Sequence, residues 1–272
     1  MAAPHPTRRF RSQLHLVLLA ALSIGLIAAA GPVEFDSARN ASAPKATVVL
    51  VHGAFADASG WNGVSDRLQD RGYTVIAPAN PLRGLAFDSA YVSSVLGTIE
   101  GPIVLVGHSY GGAVITNAAT GHPGVKALVY IAAFAPDAAE MVGGLSILNP
   151  GTGLTQENLV VRPYPGGFDG YIKPAVFGRV FAGDLSPETA GLMAASQRPS
   201  DLAILGEPSG EPAWKTIRSW YLVAAQDRTI PPATERFMAQ RAGATTVEID
   251  SSHVAMVSHP REVTNLILDA AR

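Results

Sequence analysis

No cysteine occurs among the 272 residues, which excludes disulfide bonds and thiolate metal sites from both the fold and its chemistry. Charge is scarce as well, with 15% charged residues against 47% hydrophobic. That balance excludes a disordered chain and suits a large apolar core. The sequence has no internal repeat, no cluster at metal-ligand spacing and no G-x-x-x-x-G-K-[ST] phosphate loop. It therefore offers no site for a metal and calls for no cofactor.

The basic residues of the N-terminus stand apart. Arg8, Arg9 and Arg11 precede an apolar run from Leu14 to Ala30 that ends in Ala28-Ala29-Ala30-Gly31. A basic region, a hydrophobic region and an A-x-A site predict a secretory signal over residues 1–30, cleaved after Ala30. The protein is then exported, to the cell envelope or the medium. Thr7-Arg8-Arg9-Phe10 approaches a twin-arginine pattern, with Phe10 one place early. The apolar run is about 17 residues long and rich in Ala, short for a stable membrane span. Cleavage removes three arginines and no acid, moving the net charge from −2 to −5, which argues against nucleic acid as a partner. Residues 31–45, with Ser37, Asn40 and Ser42 among alanines, read as a flexible leader.

From residue 46 onward, continuous β-branched runs alternate with helical stretches. Strands are predicted at Thr47–Val51, Tyr73–Ala77, Ile103–Val106, Val125–Ala132, Ser219–Ala224 and Thr245–Ile249. Helices are predicted at Trp61–Arg71, Phe87–Ile99, Gly112–Thr120, Pro231–Arg241 and Arg261–Ala270. Runs without polar alternation belong to strands covered on both faces, so the class is α/β: an open, mostly parallel, doubly wound sheet. Between Pro136 and Pro212 prolines and glycines crowd in and no buried strand run appears, although a helix over Pro187–Ser196, capped by Ser186, fits. This stretch, about 137–213, reads as a cap inserted over the carboxyl edge of the sheet.

The predicted strand Ile103–Val106 runs into Gly107-His108-Ser109-Tyr110-Gly111 and then a small-residue helix start. A G-x-S-x-G in that frame is a nucleophile elbow, which pushes the serine Oγ out above the sheet. Serine needs a base to take its proton. His5 and His15 leave with the signal, His52 and His108 lie inside strand-end motifs, and His122 and His259 each precede a proline (Pro123, Pro260) or end a helix. His253, after the last strand, remains as the base. The base needs a carboxylate to fix its tautomer. Asp227, just after strand Ser219–Ala224, is the candidate, Asp137 the alternative, and Asp250 reads as structural. The oxyanion needs two N–H donors: Tyr110, after the nucleophile, and Ala54, after the turn at His52-Gly53, with Phe55 as the lesser candidate for the second.

The segments Val48-Val49-Leu50-Val51-His52-Gly53-Ala54, Trp61, Gly107–Gly112, Asp227-Arg228-Thr229-Ile230-Pro231 and Ser252-His253 resemble the α/β-hydrolase superfamily. More narrowly, they resemble the small carboxylesterase branch that holds plant methyl-ester esterases, hydroxynitrile lyases and bacterial carboxylesterases. The likeness covers 46–272 apart from much of the cap. It implies the α/β-hydrolase fold, a serine esterase acting on small-molecule esters without a cofactor, and the roles just given to Ser109, Asp227, His253, Ala54 and Tyr110. Lyases of the branch carry Lys directly after the catalytic His, where this chain has Val254. Other readings on the same scaffold are a lyase, an acyltransferase, a haloperoxidase-like enzyme, or a non-catalytic small-molecule-binding protein. Phe55, Phe168, Tyr171 and Met256 are the substrate-pocket candidates, with Phe177, Phe181 and Met193 readable equally as core.

Overall fold

The continuous Val, Ile and Leu runs form strands that helices cover on both sides. The computed structural model describes residues 44–272; the predicted signal segment and nearly all of the predicted leader lie outside the described residues. The first half comprises β1 (Thr47–Val51), α1 (Asn62–Gln69), β2 (Val75–Ile76), α2 (Leu85–Leu96), β3 (Ile103–Ser109), α3 (Tyr110–Ala118) and β4 (Val125–Ala133). Then come α4 (Val142–Ser146), β5 (Leu159–Tyr164), β6 (Gly167–Ile172), α5 (Pro174–Phe181), α6 (Pro187–Ala195) and β7 (Ser200–Asp201). The last part is β8 (Ser219–Ala224), α7 (Pro232–Arg241), β9 (Thr245–Ile249), α8 (Ala255–Ser258) and α9 (Pro260–Ala270).

Six strands make one sheet in the order β2-β1-β3-β4-β8-β9, every neighbouring pair parallel. β3 is buried along its whole length. Each fully buried Val, Leu or Ile contributes about 1.5–3 kcal/mol relative to exposure. α1 packs with α9, and α2 with α3, so opposite faces are covered. After β2 the winding reverses, and β3 pairs with β1 on its other side. In open α/β sheets the crevice at such a reversal, beyond the carboxyl ends of the strands, is where ligands bind. Val51, the last residue of β1, pairs with Gly107, so the end of β1 lies directly beside the elbow.

At the elbow two boundaries differ from the sequence pattern, and most other elements shift by one to three residues at their ends. The elbow strand continues through Gly107 and His108 to Ser109, because these residues still pair with β4. The helix accordingly starts at Tyr110 rather than Gly112.

Between β4 and β8 the chain also forms a three-stranded antiparallel sheet, β5-β6-β7, which the sequence pattern did not reveal. Strands β5 and β6 are half-exposed rather than buried, and β7 is only the two polar residues Ser200–Asp201, so no continuous apolar run marks them. Pro165-Gly166 closes the hairpin, with Gly166 at φ 115°, a backbone conformation open to glycine. Ser186 caps α6 by accepting the N–H of Thr189 at 3.2 Å. Among the described residues no helix is long and apolar enough to cross a membrane.

Candidate active site

Ser109 ends β3 with φ 53° and ψ −125°, a region non-glycine residues enter at a cost of about 1–3 kcal/mol. The surroundings impose it. Its carbonyl accepts the N–H of Phe134 at 3.0 Å. A Cβ on Gly107 would stand 2.6 Å from the carbonyl oxygen of Gly111, and one on Gly111 2.5 Å from that of Val51. Only bare backbone lets strand, turn and helix cross so closely. Ser109 is 3% exposed and borders a cavity also lined by Ala54, Phe55 and Tyr110.

The ends of β8 and β9 bring an acid and a base together. Parallel pairing continues past both strands, with Ala225 N–H donating to Ile249 and Gln226 N–H to Ser251 at 3.0 Å. This lacing holds Asp227 against His253: Nδ1 of His253 donates to Oδ2 of Asp227 at 2.5 Å, with both side chains fully buried. The other oxygen, Oδ1, accepts the N–H groups of Thr229 at 2.6 Å and Ile230 at 3.0 Å. Asp227 is thereby anchored as an acceptor and fixes the His253 tautomer, leaving the lone pair on Nε2. That nitrogen is buried and makes no hydrogen bond among the described residues. Unliganded sites often hold the serine–histidine bond longer than in the reacting complex. Asp137, the alternative acid, instead pairs with Lys215 at 2.8 Å on the surface, and Asp250 accepts a bond from Gln226 at 2.7 Å.

Gly53 sets the loop after β1. A Cβ there would lie 2.6 Å from Cβ of Ser109, so only glycine brings this loop onto Ser109. Of its next two amides, that of Phe55 donates to Ser200 Oγ at 2.9 Å. The Ala54 amide has no hydrogen-bond partner among the described residues. The Tyr110 amide is the first of a helix and lacks an intrahelical acceptor by position.

The cavity at Ser109 has apolar walls, among them Phe134, Val142, Leu154, Leu159, Leu202 and Leu205, and no Lys or Arg lines it. Of the four predicted pocket residues, Phe55 borders this cavity. Phe55 also borders, with Met256 and Met193, a second groove of about 240 Å³ between the post-β1 loop and α6. Phe168 is 57% exposed on β6, and the Tyr171 ring lies under the Arg162 guanidinium at 4.7 Å. Neither borders the Ser109 cavity, because both belong to the half-exposed β5–β6 hairpin. Phe177 and Phe181 are buried, and Phe181 stands edge-on to the His253 ring at 4.9 Å.

With this geometry in place, residues 48–266 match the alpha/beta hydrolase family. The chain belongs to that family. It is 28% identical over 253 residues to a pyrethroid hydrolase from Sphingobium wenxiniae, covering 82% of this chain and 87% of that one. It is 35% identical over 105 residues to a carbendazim hydrolyzing esterase from Nocardioides sp. (strain SG-4G). That second match takes in 34% of this chain and 43% of the esterase, less than half of its length. Among solved structures, polyneuridine aldehyde esterase shares the fold with a TM-score of 0.72 at 22% identity, over 84% of this chain and 100% of that one. These relatives are named as esterases or hydrolases.

Around its candidate triad this hydrolase has a supporting layer that sequence reading missed. His108 donates from Nε2 to the His253 carbonyl at 2.9 Å. Burial first, and the neighbouring His253 second, hold its pKa well below the usual histidine value, so it stays neutral beside His253. Buried Asp88 accepts the Tyr110 hydroxyl at 2.8 Å and the Arg83 amide at 3.0 Å. Desolvation raises its carboxyl above the usual range. Asp184 accepts the Ser252 amide at 2.9 Å and its hydroxyl at 2.5 Å. It ties the segment between α5 and α6 to the histidine loop. His52 accepts the Asn80 amide on Nε2 at 2.9 Å and donates from Nδ1 to Gly53 at 2.9 Å, bracing the start of the Ala54 turn. These contacts span distant parts of the chain, so no local motif announces them.

Proposed function

We propose that this hydrolase cleaves neutral carboxylic esters of small molecules, with Ser109 as nucleophile, His253 as base and Asp227 as the acid that orients it. The observation that carries the reading is the 2.5 Å bond from His253 Nδ1 to Asp227, set at the strand ends beside a strained Ser109. His253 Nε2 takes the Ser109 proton as Oγ forms a bond to the ester carbonyl carbon. The N–H groups of Ala54 and Tyr110 hold the resulting oxyanion. The alcohol leaves with the proton from His253, and water repeats the path on the acyl-enzyme.

The substrate class follows from the cavity at Ser109, whose lining is mostly apolar. Its one charged residue, Asp201, is engaged by Tyr164 and the Ala203 amide, with no cation among the described residues to pair a charged acyl group. Relatives named for carbendazim and pyrethroid hydrolysis support small-molecule substrates. Val254, fully buried directly after the base, offers no charge for cyanohydrin chemistry. Residues 46–272 are the catalytic domain in this reading, and 137–213 its cap, which supplies Leu154, Leu159, Leu202 and Leu205 to the cavity. Residues 1–30 are proposed as an export signal on the sequence pattern given above, followed by the leader to residue 45.

The test is hydrolysis of p-nitrophenyl esters from acetyl to dodecanoyl by the purified protein and its Ser109→Ala variant. Turnover is expected to vanish with Ser109, with a preference for apolar acyl groups. Activity retained by the variant would overturn the mechanism.

A further inference from the structure

Glu235, in the first turn of α7, is fully buried, and the triad reading gives it no task. One of its oxygens, Oε2, accepts the Ala224 amide at 3.1 Å. The other, Oε1, is buried with no donor among the described residues. Glu235 Oε2 and the Asp227 backbone N–H both bond to Ala224, at 3.1 Å each, which sets the Glu235 carboxyl beside Asp227. Two carboxyl groups that share a dry site do not both ionise, so the pair holds one proton.

Its location follows from the donors. Asp227 receives three N–H groups, from Thr229, Ile230 and His253, and hydrogen bonds of that kind favour the charged form. Glu235 receives one, from Ala224. Burial, reinforced by the Asp227 charge, pushes the Glu235 carboxyl well above the usual glutamate range. The other titratable neighbours are engaged elsewhere. The Tyr221 hydroxyl of β8 donates to the Ala133 carbonyl, and Arg236 on the same helix pairs outward with Glu248 at 2.6 Å.

We infer that Glu235 is a positioning residue that stays protonated and donates its O–H to Asp227, extending the triad to a chain Glu235–Asp227–His253–Ser109. This rests on Asp227 serving as the triad acid. A neutral donor behind Asp227 satisfies the carboxylate without adding a second negative charge. Asp227 thus keeps one full charge for the imidazolium and is restrained from taking the His253 proton.

The closing experiment compares Glu235→Gln and Glu235→Leu in the full chain. The glutamine amide can donate to Asp227 while its oxygen accepts from Ala224. Activity within about threefold of the parent and an unchanged acid limb of kcat/KM are therefore expected, since no charge is altered. Leucine removes the donor. Loss of outer partners behind metal-bound histidines costs about 10–100-fold, and a fall in kcat of about tenfold or more is expected here. The acid limb should move up by roughly one pH unit, because a less satisfied Asp227 pulls harder on the imidazolium. Equal impairment by Gln and Leu, or a folded Leu variant with parental kcat and acid limb, would overturn the proposal. If Glu235→Leu does not fold, infrared difference spectra decide. At neutral pH the C=O stretch of a protonated carboxylic acid should be present in the parent and missing in Glu235→Gln. Its absence from the parent would overturn the proposal. The band is readable in the Ser109→Ala background, so failure of the triad reading would register separately as activity that survives loss of Ser109.

Discussion

Gly53 and Ser109 touch across the gap between β1 and β3: a methyl group on Gly53 would stand 2.6 Å from Cβ of Ser109 and 2.9 Å from the His108 carbonyl oxygen. Neither neighbour can yield, since Ser109 is held in its strained turn and the His108 carbonyl is backbone. Gly53→Ala should push the Ala54 amide away from the nucleophile. The expected cost is about 10²–10³ in kcat, the scale of losing one oxyanion donor, with the circular dichroism spectrum unchanged. Parental turnover of a short-chain ester by a folded variant would remove Ala54 from the mechanism.

The assignment of the acid has its own test. Asp227→Asn keeps the shape but presents an amide to His253, favouring the wrong tautomer, and should lower kcat by about 10⁴. Asp137→Asn breaks only the pair with Lys215, whose members are about a third exposed, and should leave kcat within twofold or so of the parent. Steady-state kinetics of the two variants decide between the carboxylates, and the reverse ranking would displace Asp227.

Tyr110 separates backbone from side chain. Its N–H is assigned to the oxyanion, whereas its hydroxyl donates to buried Asp88 at 2.8 Å. Tyr110→Phe should destabilise the fold by about 1–3 kcal/mol by stripping a donor from a buried acid. Turnover of the folded variant should stay near parental. Urea unfolding beside kinetics checks this, and a large loss of kcat at unchanged stability would mean that the hydroxyl itself serves the reaction.

Acid should destabilise the protein through its buried histidines. His52 and His108 both have folded pKa values below the usual 6.5, with burial the leading cause. A depressed folded pKa means that the unfolded chain binds the proton first. The stability these groups contribute is complete above pH 6.5 or so and drains away as the pH falls toward the lower folded values, by up to about 1.4 kcal/mol per pH unit for each histidine. A buried Glu235 that keeps its proton has the opposite slope, because the folded chain then binds the extra proton. The histidine loss is therefore read in Glu235→Gln, whose thermal unfolding midpoints should fall between pH 7.5 and 5. A flat profile of that variant over the window would show that neither ring is held neutral.

How much of this was visible in the sequence depended on how local each signal was. Ser109 and Asp227 lie at or just past the end of apolar strand runs and His253 just past a β-branched, exposed one, and the G-x-S-x-G spacing marks a turn that needs its glycines. Gly53 favoured Ala54 over Phe55 in the sequence, but the group that occupies the Phe55 amide, Ser200, lies 145 residues away in sequence and was not legible. The β5–β6–β7 sheet escaped for a different reason: half-exposed strands interrupted by Pro163, Pro165 and Gly166 carry no continuous hydrophobic run. Glu235 looked like an ordinary acid in the first turn of a helix, favourable there through the helix dipole alone. Its burial against Asp227 is a tertiary fact. Phe168 and Tyr171 failed as pocket residues on the same ground, since an aromatic in an irregular stretch does not disclose which way it faces.

The hydroxyl of Ser200 that accepts the Phe55 amide, and the carboxylate of Asp184 that grips Ser252, make the segment between β4 and β8 a poor candidate for a modular part. One end steadies the loop proposed to receive the oxyanion, and the other steadies the loop carrying His253. A chimera that replaces this segment to alter substrate range would also dismantle two struts of the catalytic frame. Transplants should therefore carry Ser200 and Asp184 with them, or be made between proteins that already hold equivalent struts.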